Sequence, residues 1–415
     1  MSSNPNIKTI ATSKLPMPLW EFVGMVAALM ALNALAIDIM LPGLGEIGDY
    51  YSLNEPNDQQ LIIFSYVIGF GVPQLFFGPV SDRFGRKGLL IFSLFGYILA
   101  AIACGFATSF SLMLFMRFIQ GVFAAGIRVI AVSIVRDVTA GRAMARIMSL
   151  VMTVFMIVPI IAPAIGTAIM SVADWKWTFG VLAIAAFIMI VWVQIRLPET
   201  LEVENRNELR FGRTFKNYGI VLRNRTTFGY MAASGVIFGS LFAFIGASEQ
   251  IFDEVFHRGD KFALWFAIIA GSLAIANLTN AAMVERYGMR RMSHSVTIIF
   301  VVLSVLNVLA MQYGGQNFYV FLALFSATFA CFGMMGANFS AIAMEPQGKM
   351  VGTASAAYGF ATSTVSALIG AKVASQFNGS VVPILIGFAV LGMTSLLIIF
   401  ITERGRLFEL GAGKQ

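Results

Sequence analysis

Two charged side chains interrupt runs that are otherwise apolar, and they carry the chemistry of this chain. Asp38 stands four residues before Pro42 in the run 19–41, and Arg117 stands six residues after Ser111, at the start of the run 112–135. A charge at mid-bilayer costs roughly 2.5–3.5 kcal/mol on insertion scales, so each needs a partner or a task. With a rise of about 1.5 Å per residue the two lie at similar depth, within about two turns of the same surface. One reading is a static buried salt bridge, which is a poor route to stability. The other is proton exchange. Burial and a neighbouring cation act oppositely on a carboxylate, so Asp38 could take up a proton in one conformation and release it in another. Arg128, eleven residues past Arg117, returns to the same helical face about 16 Å deeper. It either lines the floor of a cavity or pairs at an inner gate.

The elements around these residues follow from composition. The 415 residues are 58% hydrophobic and 12% charged, with a mean hydropathy of +0.81. Soluble domains of this size do not look like this, and about twelve spans of about 20 residues fit the chain. The net charge of +7 sits mostly in alternate loops, which is membrane topology rather than a nucleic-acid face. Cys104 and Cys331 lie inside apolar runs and read as small packing residues. His257 and His294 lack ligand partners, so no metal site is expected, and no phosphate loop, nucleophile elbow or hydrolytic carboxylate pair is present. The chain reads as a non-enzyme without a cofactor.

Spans are expected near 19–41, 61–77, 89–106, 112–135, 147–170 and 179–197, then near 228–247, 262–283, 292–311, 318–343, 353–374 and 382–401. The fold class is therefore all-α and membrane-embedded, with a six-helix bundle in 1–197, a cytoplasmic linker in 198–226 and a second six-helix bundle in 227–415. Phe211, Phe215, Tyr218 and Leu222 recur at helical spacing among basic residues of the linker, as a short helix on the membrane surface would require; a disordered hinge is the alternative. Trp175 and Trp177 suit an interfacial belt, and basic loops and tails place both termini in the cytoplasm.

The sharpest break in hydrophobicity is Gly78-Pro79-Val80-Ser81-Asp82-Arg83-Phe84-Gly85-Arg86-Lys87. It reads as a tight turn in which Gly78 permits close helix approach and Gly85 supplies backbone freedom. Glu285-Arg286-Tyr287-Gly288-Met289-Arg290-Arg291 echoes it in the second half, aligning Asp82 with Glu285, Gly85 with Gly288 and Lys87 with Arg290. Two turns of one design mark an internal repeat. A generic positive-inside loop is the plainer reading of the first copy alone.

The pattern G-x-x-x-D-R-x-G-R-K resembles the loop between helices 2 and 3 of the major facilitator superfamily, and Arg117-Phe118-Ile119-Gln120-Gly121 resembles its helix-4 motif R-x-x-Q-G. Ile157 to Thr167, with Pro159, Pro163 and Gly166, resembles the antiporter motif of helix 5 in part; an ordinary kinked helix is the alternative. Ala36 to Pro42, Ile134 to Asp137 and Leu197 to Leu201 look like the Bcr/CflA group of bacterial drug-resistance exporters. The resemblance implies two pseudo-symmetric six-helix bundles, a role for Arg117 in proton transfer, and proton-driven export across the bacterial inner membrane. Some members of that group carry a further carboxylate two turns earlier in helix 1. Met30, Ala31 and Ala34 stand there in this chain, which argues against exchanging extra protons for cationic drugs.

The expected site therefore has three parts. Asp38 and Arg117 couple protons. Asp82, Arg86 and Asp137, at the cytoplasmic ends of first-half helices, form an inner gate that holds the outward-open state. Asn33, Tyr66, Phe70, Arg128, Phe155, Phe238, Phe242, Asn338 and Tyr358 line a substrate cavity, each equally able to face lipid or packing; Thr362 and Ser366 share the face of Tyr358. The expected partners are a small-molecule substrate, protons and the lipid bilayer, with no nucleic acid, and the chain is expected to act as a monomer. Export of drugs or amphiphiles leads, with export of one sugar, amino acid or nucleoside as the alternative.

Overall fold

The computed structural model of the chain describes residues 16–408 apart from 140, 203, 205 and 207–210. Lys8, Lys14, Arg210 and Lys414 of the expected tails and linker lie outside the described residues. The apolar runs form helices because a helix satisfies its own backbone where no water can. In order they are α1 Leu19–Asp38, the short α2 Leu44–Tyr50, α3 Leu61–Gly71, α4 Gln74–Phe84, α5 Arg86–Gly105, α6 Phe110–Val138, α7 Gly141–Met170 and α8 Lys176–Arg196. Then come α9 Phe211–Arg223, α10 Arg225–Gln250, α11 Phe262–Tyr287, α12 Met289–Tyr313, α13 Phe318–Met344, α14 Val351–Phe360, α15 Ser366–Ala374 and α16 Val382–Thr402. Side-chain caps mark several entries: Ser109 accepts from the Leu112 amide, Asn224 from Thr227, and Asn317 from Tyr319 and Val320, each satisfying an orphan first-turn donor.

Among the described residues, ten helices are long and apolar enough to cross a membrane. An eleventh span is α3 with α4, bent by 44° at Pro73, which has no amide hydrogen to continue the ladder. The expected span 353–374 is covered by α14 and α15, joined by the π-turn Ala361–Val365. The first six spans pack chiefly on one another, α6 against α3 and α5, α8 against α5 and α1 against α7; in the second six, α10 lies against α15 and α16, and α13 against α11 and α12. The turns at Gly85 and Gly288 share one face of the bundle, here the basic-turn face; the loops 42–60 and 251–261 form the acidic-turn face opposite.

The structure corrects two expectations. The stretch Gly78 to Phe84 is not a turn: α4 runs through Pro79 to Phe84, and a methyl on Gly78 would meet open space. The reversal is confined to Gly85, at φ 94° and ψ 166°, and Gly288 repeats it at φ 82° and ψ 148°. Trp175 is not at an interface but is 2% exposed, enclosed by Tyr50, Tyr51 and Phe179; Trp177 is exposed. The expected helix on 211–222 is present as α9. Its Tyr218 hydroxyl donates to the Leu75 carbonyl at 2.8 Å, and the Phe215 ring lies edge-on to Phe76, so it is tied to the first turn of α4.

The two interiors differ in kind. The second set is filled by rings: Phe244 lies 4.7 Å from Phe325 and 5.3 Å from Phe329, and Phe325 lies 5.2 Å from Phe388. The first set holds Tyr66, Tyr97, Arg117 and Gln120, all fully buried.

Candidate functional site

The polar interior is set by how closely α3 and α6 cross. An added methyl on Gly69 would fall 2.1 Å from the Phe118 carbonyl, and one on Gly121 2.1 Å from the Tyr66 carbonyl, so both positions must be glycine for the backbones to meet. That crossing places Arg117, 0% exposed, against the end of α1. Its Nη2 donates to the Ala36 carbonyl at 3.1 Å, its Nε to the Ile62 carbonyl at 3.2 Å, and its Nη1 to Gln120 Oε1 at 2.7 Å. The guanidinium also lies 4.4 Å above the Tyr66 ring. Ala36 is in the last turn of α1, where carbonyls lack helical partners and the dipole favours a cation. Tyr66 in turn donates to Asn33 Oδ1 at 3.0 Å, and the Tyr97 hydroxyl reaches the Leu32 carbonyl at 3.4 Å.

Asp38 ends α1 and is 4% exposed. The direct pairing expected with Arg117 is not formed. The guanidinium takes a carbonyl two residues earlier on the same helix, and among the described residues Asp38 has no ion-pair or side-chain hydrogen-bond partner. The two groups share a depth without neutralising each other.

Arg128 lies farther along α6, with Nη1 3.3 Å from Gln74 Oε1 and its guanidinium 5.6 Å from the centre of the Phe70 ring. Phe70 stacks on Tyr66. Gln74 is buried at the α3–α4 bend, and its Nε2 donates to Ser363 Oγ of the second set at 3.2 Å. Of the two open readings, Arg128 thus stands at the seam between the halves and not in the charged cluster of the turns. Asn33, Tyr66, Phe70 and Arg128 form one continuous group on α1, α3 and α6. The remaining candidates stand apart from it. Asn338 and Asn280 bond to each other in both directions, at 2.7 and 3.3 Å, tying α13 to α11. Phe238 packs on Phe332, Phe242 beside Gly370, and Tyr358 bonds Ser234 at 2.8 Å. Ser366 donates to the Gly235 carbonyl. Phe155 is half-buried on α7.

The structure brings Asp82, Arg86 and Asp137 together. Arg86 is 2% exposed and lies 2.7 Å from Asp82 and 2.8 Å from Asp137, with Ser81 accepting a further bond. Glu199 accepts from the amides of Arg86 and Lys87 at 2.9 and 3.2 Å, capping α5, as a carboxylate at a helix N-terminus does. The second half builds its counterpart from Arg290, 2.9 Å from Glu345 and 3.2 Å from Glu403. Glu403 also accepts from Tyr230, whose hydroxyl meets His294 Nε2 at 2.8 Å. Glu199, Glu345 and Glu403 lie outside the expected site, although Glu199 falls within the Leu197-to-Leu201 motif. Each cluster lies within one half, so neither bridges the halves on this face, where Arg136 lies against Gly352.

The halves are joined across the acidic-turn face by amides. Gln60 donates to Gln250 at 2.7 Å, Gln59 to Glu249 at 3.1 Å, Asn57 to the Phe377 carbonyl at 2.9 Å, and Gln250 to the Pro56 carbonyl at 3.2 Å. The charge clusters of the basic turns are therefore complete in a state whose acidic-turn face is closed.

Two six-helix sets meeting along a polar seam, with charges buried at mid-depth, define a multi-pass membrane transporter rather than an enzyme. The profile of the Major Facilitator Superfamily matches residues 26–371, and the chain belongs to that family. It is 29% identical over 371 residues to the uncharacterised MFS-type transporter YdgK of Bacillus subtilis, covering 86% of this chain and 90% of that one. It is 27% identical over 388 residues to the bicyclomycin resistance protein homolog of Haemophilus influenzae, covering 92% and 96%. Among solved structures it superposes on the partially occluded inward-open xylose transporter XylE of E. coli with a TM-score of 0.75 at 12% identity, covering 96% of this chain and 99% of that one.

Proposed function

We propose that this chain is a proton-coupled antiporter that exports drugs or other small amphiphilic molecules across the bacterial inner membrane. The observation that carries this reading is Asp38, a buried carboxylate without a fixed counter-ion beside an arginine whose hydrogen bonds go elsewhere. A carboxylate locked in an ion pair must break that pair to accept a proton; Asp38 need not. Its hydration changes as the halves rock, so it loads from one side and unloads to the other, while Arg117 stays bonded to α1 and holds a positive charge at the same depth. Substrate at the seam and the proton on Asp38 favour different conformations of the two halves, so proton and substrate exclude one another. The drug-resistance name of the Haemophilus relative supports export of drugs.

The concentration of Lys and Arg at the Gly85 and Gly288 turns supports a cytoplasmic location for that face and for both termini. The functional unit is one chain, with bundles in 1–197 and 227–415 joined by the cytoplasmic linker 198–226. The test is Asp38→Asn in vesicles with an imposed pH gradient. The variant should still bind substrate but lose gradient-driven export, and binding by the parent should weaken as pH falls while binding by the variant does not. Export by Asp38→Asn against a gradient at the parental rate overturns the assignment.

A further inference from the structure

Arg128 is an interior arginine whose hydrogen-bonding capacity is left largely unspent among the described residues. The other arginines bonded inside the helical core have fixed partners. Arg86 has Asp82 and Asp137, Arg290 has Glu345 and Glu403, and Arg117 spends Nε, Nη1 and Nη2 on two carbonyls and an amide oxygen. Arg128 gives a single hydrogen bond, at 3.3 Å, to a neutral amide. A guanidinium carries five N–H donors in a planar fork, so most of its capacity is unspent among the described residues. It is also partly exposed where Arg117 is sealed. Ten residues of helix separate it from Val138, about 15 Å, which is half the thickness of the hydrocarbon layer. Asp38 cannot serve it, because Asp38 shares the depth of Arg117, about 16 Å away along α6.

Position adds a second argument. Gln74, the acceptor for Arg128, bonds on its other side to Ser363 of the second set, so the free fork stands where the two halves part. The Phe70 ring lies beneath the guanidinium and continues the aromatic surface to Tyr66.

We infer that the transported molecule is an organic monoanion with an apolar body, its carboxylate bound in the fork of Arg128 and its body laid along Phe70 and Tyr66. Carboxylate and guanidinium match as two parallel charge-assisted hydrogen bonds. The substrate then supplies the negative charge that the protein omits. This rests on the export reading for the route through the seam, and on Arg128 alone for the charge.

Three probes of one ring system test it: naphthylacetate, naphthylacetamide and naphthylmethylamine, which differ in charge. The purified full chain in lipid nanodiscs should bind the acetate about tenfold or more tightly than either of the others, as a desolvated bidentate pair requires. Arg128→Gln should erase that preference and Arg128→Lys retain part of it. The same order should appear in initial rates of pH-driven transport in proteoliposomes. An arginine that only braces Gln74 would lower the thermal stability of Arg128→Gln without reordering the probes. Equal binding of the three by the parent, tighter binding of the amine, or no binding of any in the millimolar range overturns the inference, and none of these needs the variant to fold. Acetate preference in a protein whose Asp38→Asn form still exports normally would overturn the antiport reading and leave this one standing.

Discussion

Arg117 and Phe325 each stand seven residues into the fourth span of a six-helix set, α6 from Phe110 and α13 from Phe318. One is a guanidinium wired to the end of α1; the other is the hub of a ring cluster with Phe244, Phe321, Phe329 and Phe388. The fourth span is spent on chemistry in one half and on packing in the other. A repeat preserves helix placement because close crossings demand it, while the side chains at those crossings are free to diverge. On the proposed reading the proton-handling groups need exist in one half only, with the second half a stiff wall against which the first can move.

The two substitutions that best sharpen this contrast are Phe325→Ala and Arg117→Lys. Removing the ring leaves a void among aromatics, so Phe325→Ala should cost about 3 kcal/mol in unfolding of the purified protein, yet keep the pH dependence of transport. Arg117→Lys keeps the charge but loses the planar fork that reaches two carbonyls and Gln120 at once. It should retain the fold and lose about tenfold or more in gradient-driven rate, as loss of a positioned charge-assisted network does. If Phe325→Ala abolished pH dependence at unchanged expression, the division of labour between the halves would be wrong.

A smaller effect separates the basic turns. Gly85 and Gly288 take the same backbone conformation, but the enclosed cation follows one residue later in the second, because Met289 fills the place of Arg86. Arg86→Met should destabilise by about 2–3 kcal/mol, since it strands Asp137 in a buried setting. Arg290→Met should cost about 1 kcal/mol, because Glu345 is well exposed and Glu403 keeps the Tyr230 hydroxyl. Thermal unfolding of the two variants under one condition reads the difference, and equal shifts would mean that the clusters are interchangeable. The smallest effect is at the glycines. Alanine at φ near +90° should cost about 1 kcal/mol at each. Gly85→Ala should cost more, because its methyl would stand 2.6 Å from Glu199 Oε2; parity would show that the Glu199 cap gives way freely.

Helix placement was legible in the sequence because a lipid-spanning segment must be long and apolar, and Gly85 because only glycine takes that conformation cheaply. What stayed hidden has physical reasons. Pro79 looks like a terminator, but α4 is held beyond it and runs on to Phe84. The partners of Arg117 are backbone carbonyls, which no residue type announces, so a nearby acid seemed the natural mate. Glu199, Glu345 and Glu403 sit far along the chain from the arginines or amides they serve. Asn338 resembled a cavity anchor until Asn280, on another helix, proved to satisfy it in both directions. Trp175 shows the same limit, since it is drawn inward by neighbours that its own loop does not contain.

The seam on the acidic-turn face is sewn with amides, Glu249 being the carboxylate among them. Dissolved ions screen exposed charges beyond about 8–10 Å at ordinary ionic strength, but they have little hold on neutral hydrogen bonds. Closure of this face is thereby buffered against changes in ionic strength, so the bias between shut and open should hold from dilute to concentrated salt.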